Sequence, residues 1–384
     1  MKFTKDYFFE IFFFIFLIIL VPSYSPTFKE ILSESGSADF HWQPARCAFQ
    51  GINHYQSYLI GDGKCQIFKS QIGEYLQGFY IIIFPFTLFD WNEAKVLWFG
   101  FNVILLILIC YLLCKKFKLG KTATLIITFF IFFCISVRVH FIMGQQAIFI
   151  LFFLILPFVY KSKISFILSG ISYFKYNIGY GLFLLYLVSK DYKKIFFSIL
   201  PCFFGWIIYC LITKSNILIN IFQPLELLSL NLSQGGNLNK FYLFSFIKYI
   251  NFFSDLNKYS IIIIFTIIFN IYFIKKISEV SNNLLKLSFL SLLIFISTPH
   301  FIHDNIILIP FLIYTIKYYN TNLYLFRINL FVSVYFLHFY RGLQIFFENL
   351  NIPSLIFSYI DTFIVILVLI LNLKFFKKKL IFFK

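Results

Sequence analysis

Charged side chains are scarce in this chain of 384 residues, where Asp, Glu, Lys and Arg together make up 13%. So little charge cannot cover the water-facing surface of a soluble globular protein, and 60% of the residues are hydrophobic. Apolar runs long enough to span a bilayer recur from end to end, and the mean hydropathy is +0.85. The sequence therefore predicts an all-α, polytopic integral membrane protein, with residues 1–384 as a single membrane-embedded domain.

Acidic residues are the rarer charge, with 16 Asp and Glu against 33 Lys and Arg and a formal net charge of +17. Nucleic-acid binding would need the basic residues gathered on a folded domain. Here they lie in short groups between apolar runs, at 115–118, 161–163, 193–194, 275–276 and 377–379. This is the positive-inside pattern that orients membrane spans, so the predicted partners include membrane lipids and no nucleic acid.

Metal-ligand patterns are also missing from the sequence. No Cys and His spacing resembles a zinc site, and the acidic residues predicted to be external are spread singly rather than as Asp-x-Asp. The sequence thus predicts neither a metal nor a cofactor. Cys47 and Cys65 fall in one predicted external loop, where an oxidising compartment would allow a disulfide that their spacing does not establish.

The basic groups and apolar runs together predict about ten full spans, with both termini cytoplasmic. Residues 8–22 are predicted to be an uncleaved anchor, because no small-residue cleavage site follows them. Residues 24–94 are predicted to hold an external loop, 24–76, and a short re-entrant or interfacial helix, 78–89. A second external region is predicted at 214–257.

The segment 164–189 is unusual because basic groups stand at both of its ends. Two half-helices that meet within Lys175–Gly179 would return the chain to the side it came from. Each arm would be about twelve residues, or roughly 18 Å, long. Broken helices are tolerated inside a membrane where they line a cavity, so the break is a candidate site.

Five groups of polar residues are predicted to lie on the external face, although they come from distant parts of the chain. Ionisable residues at membrane depth are costly and tend to mark functional sites. One well-placed carboxylate with an excess of cations suits sugar transfer from a lipid phosphate, with the carboxylate as base and the cations at the phosphate. The groups are Asp39 with His41 and Arg46; Arg138 with His140, Gln145 and Gln146; Lys175 with Asn177; Asn231, Ser233 and Gln234; and His300, His303 and Asp304.

The order of these motifs resembles that of the bacterial polyprenyl-phosphate-mannose-dependent mannosyltransferases, which have the GT-C fold. The resemblance covers roughly residues 8–320 and departs at two places, where Tyr75-Leu76-Gln77-Gly78 stands for a usual Tyr-x-Pro-Pro and Lys175-Tyr176 for a usual Lys-Pro. The matching features are Asp39 ahead of Ala45, Gly51 and Tyr55; Gly144-Gln145 at the start of a span; Lys175 in a broken helix; the polar loop 231–237; and the element Ser297–His303.

The resemblance implies a GT-C-type helical bundle whose external first loop carries the catalytic Asp39 as general base. It implies transfer of a hexose, with mannose favoured, from a polyprenyl-phosphate sugar donor to a glycolipid or glycan acceptor. The active site would face the periplasmic or extracytoplasmic side of the inner or plasma membrane. Residues implied at the donor phosphate or substrate are His41, Arg46, Arg138, Gln145, Lys175, His300 and His303.

Structural roles remain open for these residues, since Asp39 could cap a helix, Lys175 could extend to an interface and Arg138 could anchor one. His54, His140 and His338 are predicted to be structural. Two other functions also remain open, a transporter or flippase of lipid-linked glycans and a polymerase or ligase. A transporter is expected to show repeat symmetry, which this sequence lacks. A polymerase or ligase would place its longest external loop late in the chain, whereas here it comes first.

Overall fold

The computed structural model describes residues 24–34, 36–65, 75–233, 255–297, 302–318, 323–340 and 363–375, together with residues 22, 73 and 361. Every regular element in this part of the chain is helical, so the all-α prediction is confirmed for the described residues. Nearly all of the predicted anchor at 8–22 lies outside them, as do His300 and most of the polar loop 231–237.

Helices of the first half lead from the predicted external loop to the broken segment. They are α1 (24–32), α2 (Trp42–Phe49), α3 (His54–Ile60), α4 (Gln77–Thr87), α5 (Trp91–Lys116), α6 (Lys121–Phe132), α7 (Ile135–Met143), α8 (Ala147–Val159) and α9 (Lys163–Ser169), which continues as a 3-10 helix over Gly170–Phe174.

Helices of the second half begin after the break at Lys175. They are α10 (Tyr176–Val188), α11 (Tyr192–Thr213), α12 (Ile217–Asn220), α13 (Gln223–Ser233), α14 (Asp255–Ser278), α15 (Asn283–Ser297), a 3-10 helix (Ile302–Leu308), α16 (Ile309–Lys317), α17 (Leu323–Val334) with a π-helical turn (Tyr335–Phe339), and α18 (Phe363–Phe375).

Two helices of the described residues, α5 and α11, are long and apolar enough to cross a membrane, judged by length and composition. The pair α6 and α7 makes a third if it counts as one broken span. The described residues also form several shorter apolar helices, including α4, α8, α10 and α15. A membrane protein built of helices is thus supported, and the count of about ten spans stays a prediction.

The span predicted over 122–137 is not one straight helix. The axes of α6 and α7 differ by 59° across a short break. Cys134 in that break has an extended backbone, with ψ at 133°. The hydroxyl of Tyr24 donates a hydrogen bond to the carbonyl of Phe132, which the break leaves without a helical partner.

The region predicted as a polar loop, 24–76, is folded into α1, α2 and α3. The side chain of Asn53 caps α3 by accepting a hydrogen bond from the backbone N–H of Gln56 at 3.2 Å. Cys47 of α2 forms a disulfide with Cys65, which answers the question that their spacing left open. The described part of the predicted external loop, which we call the external unit, is therefore helical and not an extended loop.

The segment from α9 to α10 folds back on itself at Lys175. The ring centroids of Phe166 and Tyr186, twenty residues apart, lie within 6.5 Å of each other. Nζ of Lys194 lies 5.6 Å from the centroid of the first ring and 5.7 Å from that of the second. Because a straight helix would separate such residues by about 30 Å, the two arms must enter and leave on one side. The predicted break at Lys175 is present.

Two glycines allow this fold-back. A Cβ on Gly179 would lie 2.4 Å from the carbonyl oxygen of Ser172, where the second arm leaves the first. A Cβ on Gly170 would lie 1.8 Å from the carbonyl oxygen of Ser198 in α11. Any larger side chain would separate these backbones, so both glycines are required by close approach.

Candidate active site

The Gly144-Gln145 motif ends α7 and brings it against the turn that carries Asp39. Gly144 has a φ of +65°, which favours glycine, and a Cβ there would lie 2.9 Å from Cβ of Phe40. The backbone N–H of Asp39 donates to the carbonyl of Met143 at 2.9 Å. The turn that contains Asp39 is therefore fixed where α8 begins.

Two consecutive glutamines hold Asp39 in this turn. Nε2 of Gln145 donates to Oδ2 of Asp39 at 2.5 Å, and Nε2 of Gln146 donates to the carbonyl of Asp39 at 2.6 Å. Oε1 of Gln146 also accepts the hydroxyl of Tyr75 at 2.8 Å. The residue at the N-cap of α2 is His41, so Asp39 does not serve as that helix cap.

The Asp39 carboxyl is half-buried, and its surroundings shift its acidity. Burial raises the pKa of Asp39 above its ordinary value, because the charged form loses hydration. The hydrogen bond from Gln145 and the positive charge of Lys175 act to lower this pKa, and the negative charge of Asp304 acts to raise it. A carboxylate with a raised pKa is a stronger base than one in water, as base catalysis near neutral pH requires.

Lys175 lies at the break of the folded-back segment, where its backbone leaves helical geometry with φ at −102° and ψ at 86°. Its Nζ donates to Oδ1 of Asp304 at 2.6 Å. The two side chains are only 7% and 3% exposed. This is a buried ion pair that joins the break to the 3-10 helix Ile302–Leu308 across 129 residues of sequence.

Tyr75 lies between Asp39 and Lys175. The N–H of Leu76 donates to the carbonyl of Phe174 at 3.2 Å, which brings the start of α4 to the break. The ring centroid of Tyr75 then lies 5.9 Å from Nζ of Lys175 and 4.5 Å from the ring centroid of His41. Through its hydroxyl on Gln146, Tyr75 connects the Asp39 turn to the lysine.

His41 is buried beside Tyr75 and is uncharged at neutral pH. Burial, followed by the positive charge of Lys175, lowers the pKa of His41 to about 3. Its Nδ1 is buried and has no hydrogen-bond partner among the described residues. At this position the imidazole can form hydrogen bonds to a ligand, but it does not supply the positive charge expected of it from the sequence.

Two further histidines surround the ion pair. Nε2 of His303 lies 3.9 Å from Oδ2 of Asp304. His140 was predicted to be structural, yet it lies close enough to Lys175, His303 and Asp304 for electrostatic interaction with each of them. Its Nε2 lies 3.5 Å from Oδ1 of Asn102, and its Nδ1 is buried without a partner in the described part of the chain.

The two predicted arginines lie against aromatic rings. The guanidinium carbon of Arg46 is 4.8 Å from the ring centroid of Trp42, one turn earlier in α2. That of Arg138 is 5.6 Å from the ring of Tyr24 and 5.3 Å from that of Phe133. The charges that act on Asp39 are those of Lys175 and Asp304.

The structure therefore brings together Asp39, His41, Gln145, Lys175 and His303 of the predicted set. Arg46 and Arg138 lie in aromatic surroundings, and His300 is outside the described residues. Three further members of the centre were given no role from the sequence: Gln146 and Asp304, which belong to the polar groups predicted on the external face, and Tyr75, which does not. The available signals were that Gln146 follows Gln145, that Asp304 follows His303 and that Tyr75 stands at the tyrosine of the family's Tyr-x-Pro-Pro position.

Metal-ligating side chains do not gather here: in the described ranges no group of three or more His, Cys, Asp or Glu could hold a metal ion. The side chains that do gather here are the carboxyl of Asp39, the ammonium of Lys175 with its partner Asp304, and the imidazoles of His41, His140 and His303.

A sequence model of glycosyltransferase family 87 matches residues 77–243. The match covers less than half of the chain and includes α4, Gly144-Gln145 and the break at Lys175, but neither Asp39 nor Asp304. No curated protein and no solved structure matched the chain. Together with the apolar helices, the family match indicates that this is a glycosyltransferase of the membrane-bound kind.

Proposed function

We propose that the chain transfers a hexose, with mannose first among the candidates, from a polyprenyl-phosphate sugar to a glycolipid or glycan acceptor. The observation that carries the proposal is one polar centre in which Asp39 and Lys175, from distant parts of the sequence, lie close enough for their charges to interact. A base and a phosphate-binding cation are the two groups that such a transfer needs.

Asp39 acts in this proposal as the general base. It takes the proton of the acceptor hydroxyl as the acceptor oxygen forms a bond to the anomeric carbon of the sugar. The bond between that carbon and the phosphate oxygen breaks, and the polyprenyl phosphate leaves with its electron pair. Burial supports this role because it raises the pKa of Asp39, and the hydrogen bond from Gln145 supports it by fixing the carboxyl.

Lys175 binds the donor phosphate in this proposal. Lys175 is the N-cap residue of the thirteen-residue helix α10, which begins at Tyr176, so the N-terminus of this helix lies beside the lysine. The helix dipole favours an anion there. The helix end adds to the lysine ammonium, and together they would stabilise the negative charge that develops on the leaving phosphate.

The disulfide between Cys47 and Cys65 supports placing this centre on the extracytoplasmic face. Disulfides persist in oxidising compartments, and this one lies in the external unit that also carries Asp39. The positive-inside pattern, which puts the basic groups on the opposite side, agrees with that orientation.

Transfer of label from radiolabelled polyprenyl-phosphate mannose to a mixed lipid-extract acceptor tests the proposal, with purified protein in detergent. We expect wild-type protein to form a labelled product and Asp39→Asn to lower the rate by about 10²–10⁴-fold, since the amide cannot take the proton. The control is Asp90→Asn, an exposed carboxyl that forms no capping hydrogen bond on α5.

A folded Asp39→Asn protein with nearly full activity would contradict the base assignment. Parallel reactions with the glucose, galactose and arabinose donors identify the sugar. Absence of transfer from every donor, with saturable binding of a lipid-linked glycan, would replace the proposed enzyme with a transporter.

A further inference from the structure

The balance of charge around Lys175 is unexpected for a site that binds phosphate. Its ammonium is already paired with Asp304 at 2.6 Å, and the carboxyl of Asp39 also lies within its field. His41, beside them, is uncharged at neutral pH because burial and Lys175 lower its pKa to about 3. Two carboxyl groups thus share one ammonium, so an arriving phosphate must compete with a carboxylate that the protein itself supplies.

We infer that Asp304 competes with the lipid phosphate for Lys175 and thereby makes the site prefer the sugar-bearing phosphodiester to the bare polyprenyl phosphate. The inference rests on the proposed function, in which Lys175 binds the donor phosphate. Asp304 acts through Lys175 and is therefore a specificity-determining residue rather than a catalytic one.

The transfer step makes the lipid phosphate more negative, and this change in charge is what allows Asp304 to distinguish the donor from the product. The donor is a phosphodiester with one negative charge. When the bond from the anomeric carbon to the phosphate oxygen breaks, the acceptor proton goes to Asp39 and the lipid phosphate becomes a monoester. A phosphate monoester carries a charge of about −1.5 to −2 at pH 7. Repulsion from Asp304 is therefore stronger for the product than for the donor, and Asp304 regains Lys175 as the product leaves.

Neutral groups around the pair fit the same preference. Nδ1 of His41, Nδ1 of His140 and Oε1 of Gln145 are each buried and have no hydrogen-bond partner within the described ranges. An imidazole Nδ1–H can donate to a phosphodiester oxygen, and Oε1 of Gln145 can accept from a sugar hydroxyl, in each case without adding positive charge. A site that uses neutral hydrogen bonds and one shared ammonium suits an anion with a single charge.

Direct binding of two labelled lipids tests this inference in purified, detergent-solubilised protein. The probes are polyprenyl phosphate and polyprenyl-phosphate mannose, and the measured quantity is the ratio of their dissociation constants. We expect wild-type protein to bind the phosphodiester more tightly. In Asp304→Asn we expect binding of the monoester to tighten by about tenfold or more, with a smaller change for the diester, because the competing charge is gone.

Two matched variants separate charge from structure. Asp304→Glu keeps the negative charge and should retain the wild-type ratio. Asp191→Asn removes the carboxylate of an exposed aspartate–lysine pair, Asp191 with Lys194, and should leave the ratio unchanged. A folded Asp304→Asn protein with the wild-type ratio, or with weaker binding of the monoester, would overturn the inference.

Loss of the partner of Lys175 is also expected to destabilise Asp304→Asn, because it leaves a buried charge unpaired. If the variant is too unstable for direct binding measurements, the competition is tested by how much added polyprenyl phosphate raises the melting temperature of the variant and of wild-type protein. A larger stabilisation of the variant than of wild-type protein supports the competition, and an equal or smaller one contradicts it. Both tests measure binding and not catalysis. A wild-type protein that shows the expected ratio but transfers no sugar would therefore contradict the proposed function and leave the inference about Asp304 standing.

Discussion

Two lysine–aspartate pairs lie at opposite ends of the same folded-back segment, and they differ in almost every physical respect except distance. Lys175 and Asp304 are 2.6 Å apart at the break, with side chains 7% and 3% exposed. Lys194 and Asp191 are 2.5 Å apart beside the open ends of the two arms, with side chains 34% and 42% exposed. The first pair spans 129 residues of sequence and the second only three.

We expect burial, and not the presence of the pair, to separate the lysine proposed to bind phosphate from a lysine that only anchors a helix end. An exposed pair is hydrated and screened, so it contributes little to stability and binds no particular ligand. A buried pair strengthens every charge near it, and its ammonium can be shared with an incoming anion. Asp39, Tyr75 and the histidines surround the buried pair, whereas the rings of Phe166 and Tyr186 surround the exposed one.

Replacing each lysine should give the largest contrast between the two ends. Lys175→Gln leaves the carboxylate of Asp304 buried without its ionic partner, and we expect a loss of about 3–5 kcal/mol in unfolding free energy. Lys194→Gln breaks an exposed pair and should cost less than about 1 kcal/mol. Thermal unfolding of both variants in one detergent measures the contrast. Equal shifts in melting temperature would show that burial does not distinguish the pairs.

The fold-back itself can be disturbed at Gly179. A Cβ there would lie 2.4 Å from the carbonyl oxygen of Ser172 and 2.6 Å from Cα of Tyr173, so Gly179→Ala must push the arms apart. We expect a loss of about 1–3 kcal/mol and weaker binding of polyprenyl phosphate. Gly100→Ala is the control, because a Cβ on Gly100 in α5 meets no atom within 4 Å. A Gly179→Ala protein as stable as the control would rule out the tight packing at the break.

The smallest expected effect concerns the acidity of Asp39. The hydrogen bond from Gln145 lowers the pKa of Asp39, so Gln145→Leu should raise it. Since only the ionised carboxylate accepts a proton, activity rises as the pH rises through this pKa. The acidic limb of the rate profile should therefore move to higher pH, by about one unit for each 1.36 kcal/mol of lost interaction.

Gln56→Leu serves as the control for that profile, since Gln56 is an exposed glutamine of α3, in the same predicted external loop as Asp39. A limb that stays in place in Gln145→Leu, with activity reduced at every pH, would mean that Gln145 shapes the site without acting on Asp39.

The break at Lys175 could be predicted from the sequence because its signal is local. Basic groups stand at both ends of one apolar segment that is too long for a half-span and carries a lysine at its middle. A short helix was predicted over 78–89 and is found at Gln77–Thr87, because the apolar run there is too short to span a membrane comfortably. Composition and periodicity suffice for features of this kind.

Asp304 and Tyr75 could not be assigned in the same way. The partner of Lys175 lies 129 residues away, and it reaches the break because the 3-10 helix Ile302–Leu308 packs against α7 and α8. The resemblance implied Arg138 at the phosphate, but its guanidinium, in the helix that follows the bend between α6 and α7, lies against the rings of Tyr24 and Phe133. Tertiary packing decided each of these positions, and no sequence spacing encodes it.

Saturable binding of labelled polyprenyl phosphate to wild-type protein, Lys175→Gln and Lys194→Gln tests the central claim most directly, because it asks which lysine the lipid phosphate needs. We expect Lys194→Gln to bind as wild-type protein does and a folded Lys175→Gln protein to lose saturable binding. Equal binding by the two variants would contradict the assignment of the phosphate site to the buried end of the segment.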